Sequence, residues 1–160
     1  TRTIALTGGL ADRTFGDLVA GRGLGRLTPT GYTQFSGDVK ARFRLGNRTT
    51  LTTAYQDLQQ DSVPLYHRVR LENYAYFQFD PQRRQLAYAR LEHDLGYRWL
   101  KTLQLTASWQ RHAEGRQSRR NNNPTRVDEL DRTTTTGLTM LAQAEPTPFW
   151  QVQYGVEWYG

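Results

Sequence analysis

The segment 60–83 gathers the side chains best able to hold a ligand: Tyr66, His67, Arg68, Arg70, Tyr74, Tyr76, Phe77 and Phe79. Tyr and His can ligate haem iron, and Arg can meet a carboxylate with two parallel hydrogen bonds. Tyr66, His67, Arg68, Arg70 and Tyr74 are therefore the candidate ligand-binding residues. The same residues also suit a segment whose aromatics pack on one another, because one His without a partner specifies little. A second basic set, Arg116, Arg119, Arg120 and Arg126, flanks Asn121-Asn122-Asn123-Pro124. It reads either as a mobile, solvated loop or as a patch for anionic groups such as lipopolysaccharide phosphates. No nucleic-acid-binding module accompanies it, so no nucleic-acid partner is expected.

Other constellations fall short of a site. Asp128, Glu129 and Asp131 lack the spacing of a calcium-binding loop. Gly21-Arg22-Gly23-Leu24-Gly25 is rich in glycine but departs from the G-x-G-x-x-G spacing and lacks a βαβ context. No Ser-His-Asp order and no His-x-x-x-His pair suggests catalysis, so neither a catalytic residue nor a cofactor is expected, and the chain is not read as an enzyme. With no cysteine, a disulfide framework and a thiolate metal site are excluded.

The elements that must carry these side chains are strands. From Thr33 to Leu45, Phe35, Val39, Ala41, Phe43 and Leu45 share one face, and Gln34, Ser36, Asp38, Lys40, Arg42 and Arg44 share the other. A helical period of 3.6 would mix the two sets. Leu103, Leu105, Ala107 and Trp109 alternate with Thr102, Gln104, Thr106, Ser108 and Gln110. Trp150, Val152, Tyr154, Val156 and Trp158 alternate with Gln151, Gln153, Gly155, Glu157 and Tyr159. Residues 84–95 alternate less cleanly, because Leu86 and Tyr88 join the polar face and His93 the apolar one. Seven strands are expected, at about 1–16, 31–45, 49–59, 84–95, 101–114, 128–143 and 149–160. Arg42, Arg44, Arg90, Glu92, Gln104 and Gln110 are assigned to the polar side of the wall, facing a lumen.

The connectors alternate in length. Gly46-Asn47-Arg48, Gly96-Tyr97-Arg98-Trp99 and Pro146-Thr147-Pro148 are short, whereas 17–30, 60–83 and 115–127 are long and polar. Outer-membrane β-barrels share that rhythm, with short periplasmic turns and long extracellular loops. Hydrophobic residues make up only 37% of the chain and no run is long enough for a membrane-spanning helix. A barrel wall tolerates that low average, because only alternate residues face lipid. Trp150 and Trp158 share a face eight residues apart. At about 3.3 Å per residue and a tilt near 40°, that spacing is roughly 20 Å along the membrane normal, close to the ~25 Å apolar band between aromatic girdles. The net charge of +6 rests on 21 basic residues, of which only Lys40 and Lys101 are lysine. A soluble β-sandwich also alternates, but strand length, loop rhythm and the placement of aromatics favour a barrel wall.

Short stretches carry a resemblance to a known family. They are Thr14-Phe15-Gly16-Asp17-Leu18, Thr30-Gly31-Tyr32, and Tyr55-Gln56 through Gln60-Asp61-Ser62-Val63-Pro64-Leu65-Tyr66-His67. Further on they are Phe79-Asp80-Pro81-Gln82-Arg83-Arg84-Gln85-Leu86-Ala87-Tyr88, and Ser108-Trp109-Gln110 through Glu114-Gly115-Arg116. In these the chain resembles the barrel region of TonB-dependent outer-membrane receptors. The resemblance implies a barrel of about 22 strands, closed by an N-terminal plug domain. It also implies import of a scarce ligand, such as a ferric siderophore or haem, on energy delivered through TonB. Residues 1–160 contain neither a Ton box nor a plug, and seven strands leave two unpaired edges. The expectation is therefore a partial barrel, a fragment or trimmed chain that meets TonB only through a missing N-terminal region. Its expected surroundings are the lipid and lipopolysaccharide of a Gram-negative outer membrane. A non-energised channel or adhesion barrel would share the wall, and a soluble basic β-sandwich would share the alternation.

Overall fold

The computed structural model describes residues 3–160, and Thr1 and Arg2, where the first strand was expected to begin, lie outside the described residues. The described residues are all-β with one short helix. Its strands are β1 (Ile4–Phe15), β2 (Leu18–Ala20), β3 (Gly25–Leu27), β4 (Tyr32–Arg44), β5 (Thr49–Asp61) and β6 (Val63–Pro64). After helix α1 (Tyr66–Leu71) come β7 (Tyr74–Tyr97), β8 (Leu100–Arg120), β9 (Arg126–Thr147) and β10 (Trp150–Tyr159).

The seven long strands form an antiparallel meander in the order β1-β4-β5-β7-β8-β9-β10, with β6 added beside β7. Each long strand thus pairs with its nearest long neighbours in sequence, as local hairpin closure favours. The turns after β4, β7 and β9 lie at one end of the sheet and the longer connections at the other. Gly46 and Gly96 take φ of +142° and +74° beside two of the tight turns, a backbone region closed to most other residues. β1 and β10 are the two edges, so the sheet is not closed into a barrel among the described residues.

The register sorts the side chains into two faces. One row crosses the sheet as Leu6, Ala41, Thr53, Ala89, Ala107, Leu138 and Trp158. The next runs through Ile4, Phe43, Leu51, Leu91, Leu105, Met140 and Val156. Together with Val39, Trp109, Leu103, Ala142 and Tyr154 these rows make a continuous apolar band on one face. The opposite face carries Thr7, Lys40, Arg42, Thr52, Arg90, Thr106, Thr139 and Glu157.

Nothing among the described residues covers the band. Among the described residues only Ala142 and Ala144 are buried hydrophobic residues. The accessible surface is 11503 Å². A compact monomer of this mass would expose about 8,200 Å². The sheet is a single layer whose apolar face has no partner among the described residues.

The sheet reaches further than the alternation predicts. Segments 60–83 and 115–127 were expected to be long loops, but β7, β8 and β9 run well into both, leaving α1 and the turn at 121–125. Segment 17–30, also expected to be a loop, contains the small β2–β3 hairpin. The physical reason is that beyond the band aromatic rings, arginines and other polar residues fall on both faces, so the period-two contrast fades while backbone pairing continues. Pro81, within the segment read as a connector, cannot donate to a ladder. It sits instead in an irregularity of the β7–β8 register between Phe79 and Gln82. There the Cβ of any residue replacing Gly115 would lie 2.2 Å from the Asp80 carbonyl oxygen. Only glycine leaves room for the bulged backbone on the neighbouring strand.

Candidate ligand surface at the long-loop end

Beyond the band, β7 and β8 continue as an extended ribbon rich in aromatic rings and arginine. Register places Phe79 opposite Arg116 and Phe77 opposite Ser118, on the same face as Glu92 and Gln104. The rings and guanidinium groups pair across the strands. Arg116 lies 5.9 Å from the centre of the Phe79 ring, and Arg120 lies 5.4 Å from that of Tyr74. On the opposite face Arg119 lies 5.7 Å from the Tyr76 ring. A guanidinium over a ring is held by the ring quadrupole, and its in-plane N–H groups stay free for an anion.

Helix α1 closes over this ribbon. The Leu65 amide donates to the Phe77 carbonyl at 2.8 Å. Arg68 lies 5.5 Å from the centre of the Phe77 ring and pairs with Glu72 at 2.5 Å. Tyr74 meets Phe77 edge-on at 5.2 Å. Beside them is a recess of about 330 Å³ lined by Tyr74, Phe77, Arg120, Asn123, Val127 and Glu129. That is at the lower end of the size of small-molecule sites. Arg116 is charge-compensated by Glu114 at 3.2 Å and Asp131 at 3.4 Å. Arg120 has no carboxylate within ion-pair distance among the described residues.

The five sequence candidates are thus divided. Arg68 and Tyr74 join the aromatic cluster. Arg70 turns aside and donates from Nε to the Thr28 carbonyl at 2.7 Å, tying α1 to the β2–β3 hairpin. Tyr66 is half-buried and His67 is exposed on the short helix. The contribution of Phe77, Phe79, Arg116 and Arg120 depends on which residues face each other across β7 and β8, which spacing within one strand does not reveal.

The basic tip is ordered by hydrogen bonds. The Asn121 amide donates to the Asn73 carbonyl at 3.1 Å, and its side-chain amide to Asn73 Oδ1 at 3.1 Å. Asp128, Glu129 and Asp131 are split between faces, with Asp128 paired to Arg126 at 2.8 Å. Among the described residues no three acidic or histidine side chains converge as a metal site.

At the base of the β2–β3 hairpin, Asp17 acts as a collar. Its carboxylate accepts from the Thr30 amide at 2.7 Å, the Gly31 amide at 2.9 Å and the Thr28 hydroxyl at 2.7 Å. These bonds, led by that from the Thr30 amide, hold its pKa down to about 2. Phe15 and Tyr32 stack 4.6 Å apart just below. Segments 14–18 and 30–32 are therefore two halves of one clamp.

The six polar-face residues do share one face. Arg42, Thr52, Arg90 and Thr106 form one row, and Arg44, Thr50, Glu92 and Gln104 the next. Gln110 lies opposite Leu86 on the same face. Arg90 donates from Nε to Thr106 Oγ1 at 3.4 Å.

No protein-family model, curated protein or solved structure matches this chain.

Proposed function

We propose that this chain is a section of an outer-membrane β-barrel wall, within a TonB-dependent receptor that imports an iron complex such as a ferric siderophore or haem. The observation that carries the reading is the continuous apolar band on one face of a sheet that has no second layer to cover it among the described residues. Lipid is the medium that suits such a band, and a barrel of about 22 strands would supply partners for the open edges. The band is the lipid side, and Arg42, Arg44, Arg90, Glu92, Gln104 and Gln110 face the lumen. The short turns are periplasmic and the aromatic–arginine ribbon is extracellular. The ligand contacts that ribbon through Arg68, Tyr74 and Arg120. TonB acts through the N-terminal region of the full-length receptor, and a non-energised channel with the same wall would instead pass its ligand without TonB.

Two measurements on the full-length protein test the proposal. Cysteines placed at Leu105 and at Gln104, labelled with bimane in vesicles of brominated phosphatidylcholine, should differ. Quenching at Leu105 and none at Gln104 is expected; equal quenching would refute the wall. In uptake assays, Arg120→Ala should weaken capture of a ferric siderophore or haem about tenfold, the scale of one lost hydrogen bond to a charged group. Unchanged capture by that variant would remove the ribbon as the ligand site, and uptake persisting without TonB would favour the channel.

A further inference from the structure

The apolar face carries three arginines immediately beyond its band. Arg83 of β7 and Arg132 of β9 flank Ala113 of β8 in a single cross-strand row. Arg111 belongs to the adjoining row, between Gln85 and Thr134. It is thus diagonal to both other arginines, a relation that brings backbones to about 7–8 Å. A shallow recess joins the three, walled by Pro81 and Leu130 and floored by the small Ala113. Two residues below Arg111 on the same face is Trp109, where the apolar band begins.

The charge of this cluster is only partly compensated. Arg83 forms a two-point pair with Asp57, through Nε at 2.9 Å and through Nη2. Tyr55 and Gln85 complete that network, with the Gln85 amide donating to the Tyr55 hydroxyl at 2.7 Å. Arg111 and Arg132 have no carboxylate within ion-pair distance among the described residues. Cations on a surface that faces water alone would need no relation to the apolar band. Here they stand at its rim, where an amphiphile has its headgroup when its chains lie along the band.

We infer that Arg83, Arg111 and Arg132 form a binding site for the phosphate of a membrane lipid whose acyl chains lie against the band beside Trp109. The inference rests on the membrane reading above and names a partner for the outward face. Planar guanidinium groups suit phosphate oxygens, and three around one small residue can share a single headgroup. Ala113 leaves the space between them open.

The test is native mass spectrometry of the full-length protein released from detergent micelles with lipid A bearing two phosphates, with dephosphorylated lipid A, and with phosphatidylcholine. Wild-type protein should retain the phosphorylated lipid A in preference to both others. Arg111→Ala/Arg132→Ala should lower that retention about tenfold or more. Arg111→Lys/Arg132→Lys, which keeps the charge, should restore most of it and shows that folding is intact. Inorganic phosphate at millimolar concentration should not displace the lipid. Retention unchanged in the alanine variant, equal retention of dephosphorylated lipid A, or displacement by inorganic phosphate would each overturn the site. Bimane quenching at Leu105 separates the two failures: if it persists, only the phosphate site is wrong, and if it is absent, the membrane reading falls with it.

Discussion

Met140 and Thr139 are neighbours on β9 that face opposite ways, and an arginine at each is a direct measure of what the two faces meet. Met140 sits between Leu105 of β8 and Val156 of β10 at the centre of the apolar band. Thr139 lies between Thr106 and Glu157 on the polar face. Met140 is 44% exposed in the sheet alone, so in water an arginine there would change stability little. Against hydrocarbon near the bilayer midplane the same change costs about 2–4 kcal/mol, roughly a 30- to 900-fold loss in the folding equilibrium. Thr139→Arg gains Glu157 as a cross-strand partner and should stay within about 0.5 kcal/mol of wild type. The assay is urea titration of the full-length protein folded into phosphatidylcholine vesicles, followed by tryptophan fluorescence. Costs that agree within about 0.5 kcal/mol, or a larger cost at Thr139, would refute the assignment of the faces.

Asp17 gives a pH dependence whose sign follows from its hydrogen bonds. Its folded pKa of about 2 lies below the ordinary 3.8, so its contribution is complete above about pH 4 and is lost as pH falls towards 2. Protection of the β2–β3 hairpin from an acid-active protease should fall across that window, and Asp17→Asn should remove the dependence; a flat wild-type profile would contradict the collar. Gly115→Ala places a Cβ against the Asp80 carbonyl and should destabilise the protein by about 1–3 kcal/mol in the same urea titration. An unchanged midpoint would mean that the irregularity at Asp80–Pro81 is not held against β8. His67→Ala should alter ligand capture less than twofold, because His67 is exposed and stands outside the aromatic cluster; a loss equal to that of Arg120→Ala would return the short helix to the centre of the site.

Local sequence determined the two faces. Successive residues of a strand point to opposite sides whatever their partners, so Phe35, Val39 and Ala41, or Leu103, Leu105 and Ala107, had to share a surface. The seven long strands and the tight turns followed from the same period, where apolar and polar residues contrast. Tertiary structure decided what depends on register between strands distant in sequence. It carried β7–β9 past the band into segments where aromatic and charged residues fall on both faces and alternation has nothing to report. It also set Arg116 against Phe79, placed the Asp80–Pro81 irregularity over Gly115, and joined Asp17 to Thr30 across the hairpin. The arginine cluster around Ala113 shows the difference most directly. Arg83, Arg111 and Arg132 belong to three strands, and only pairing brings them to one point on one face.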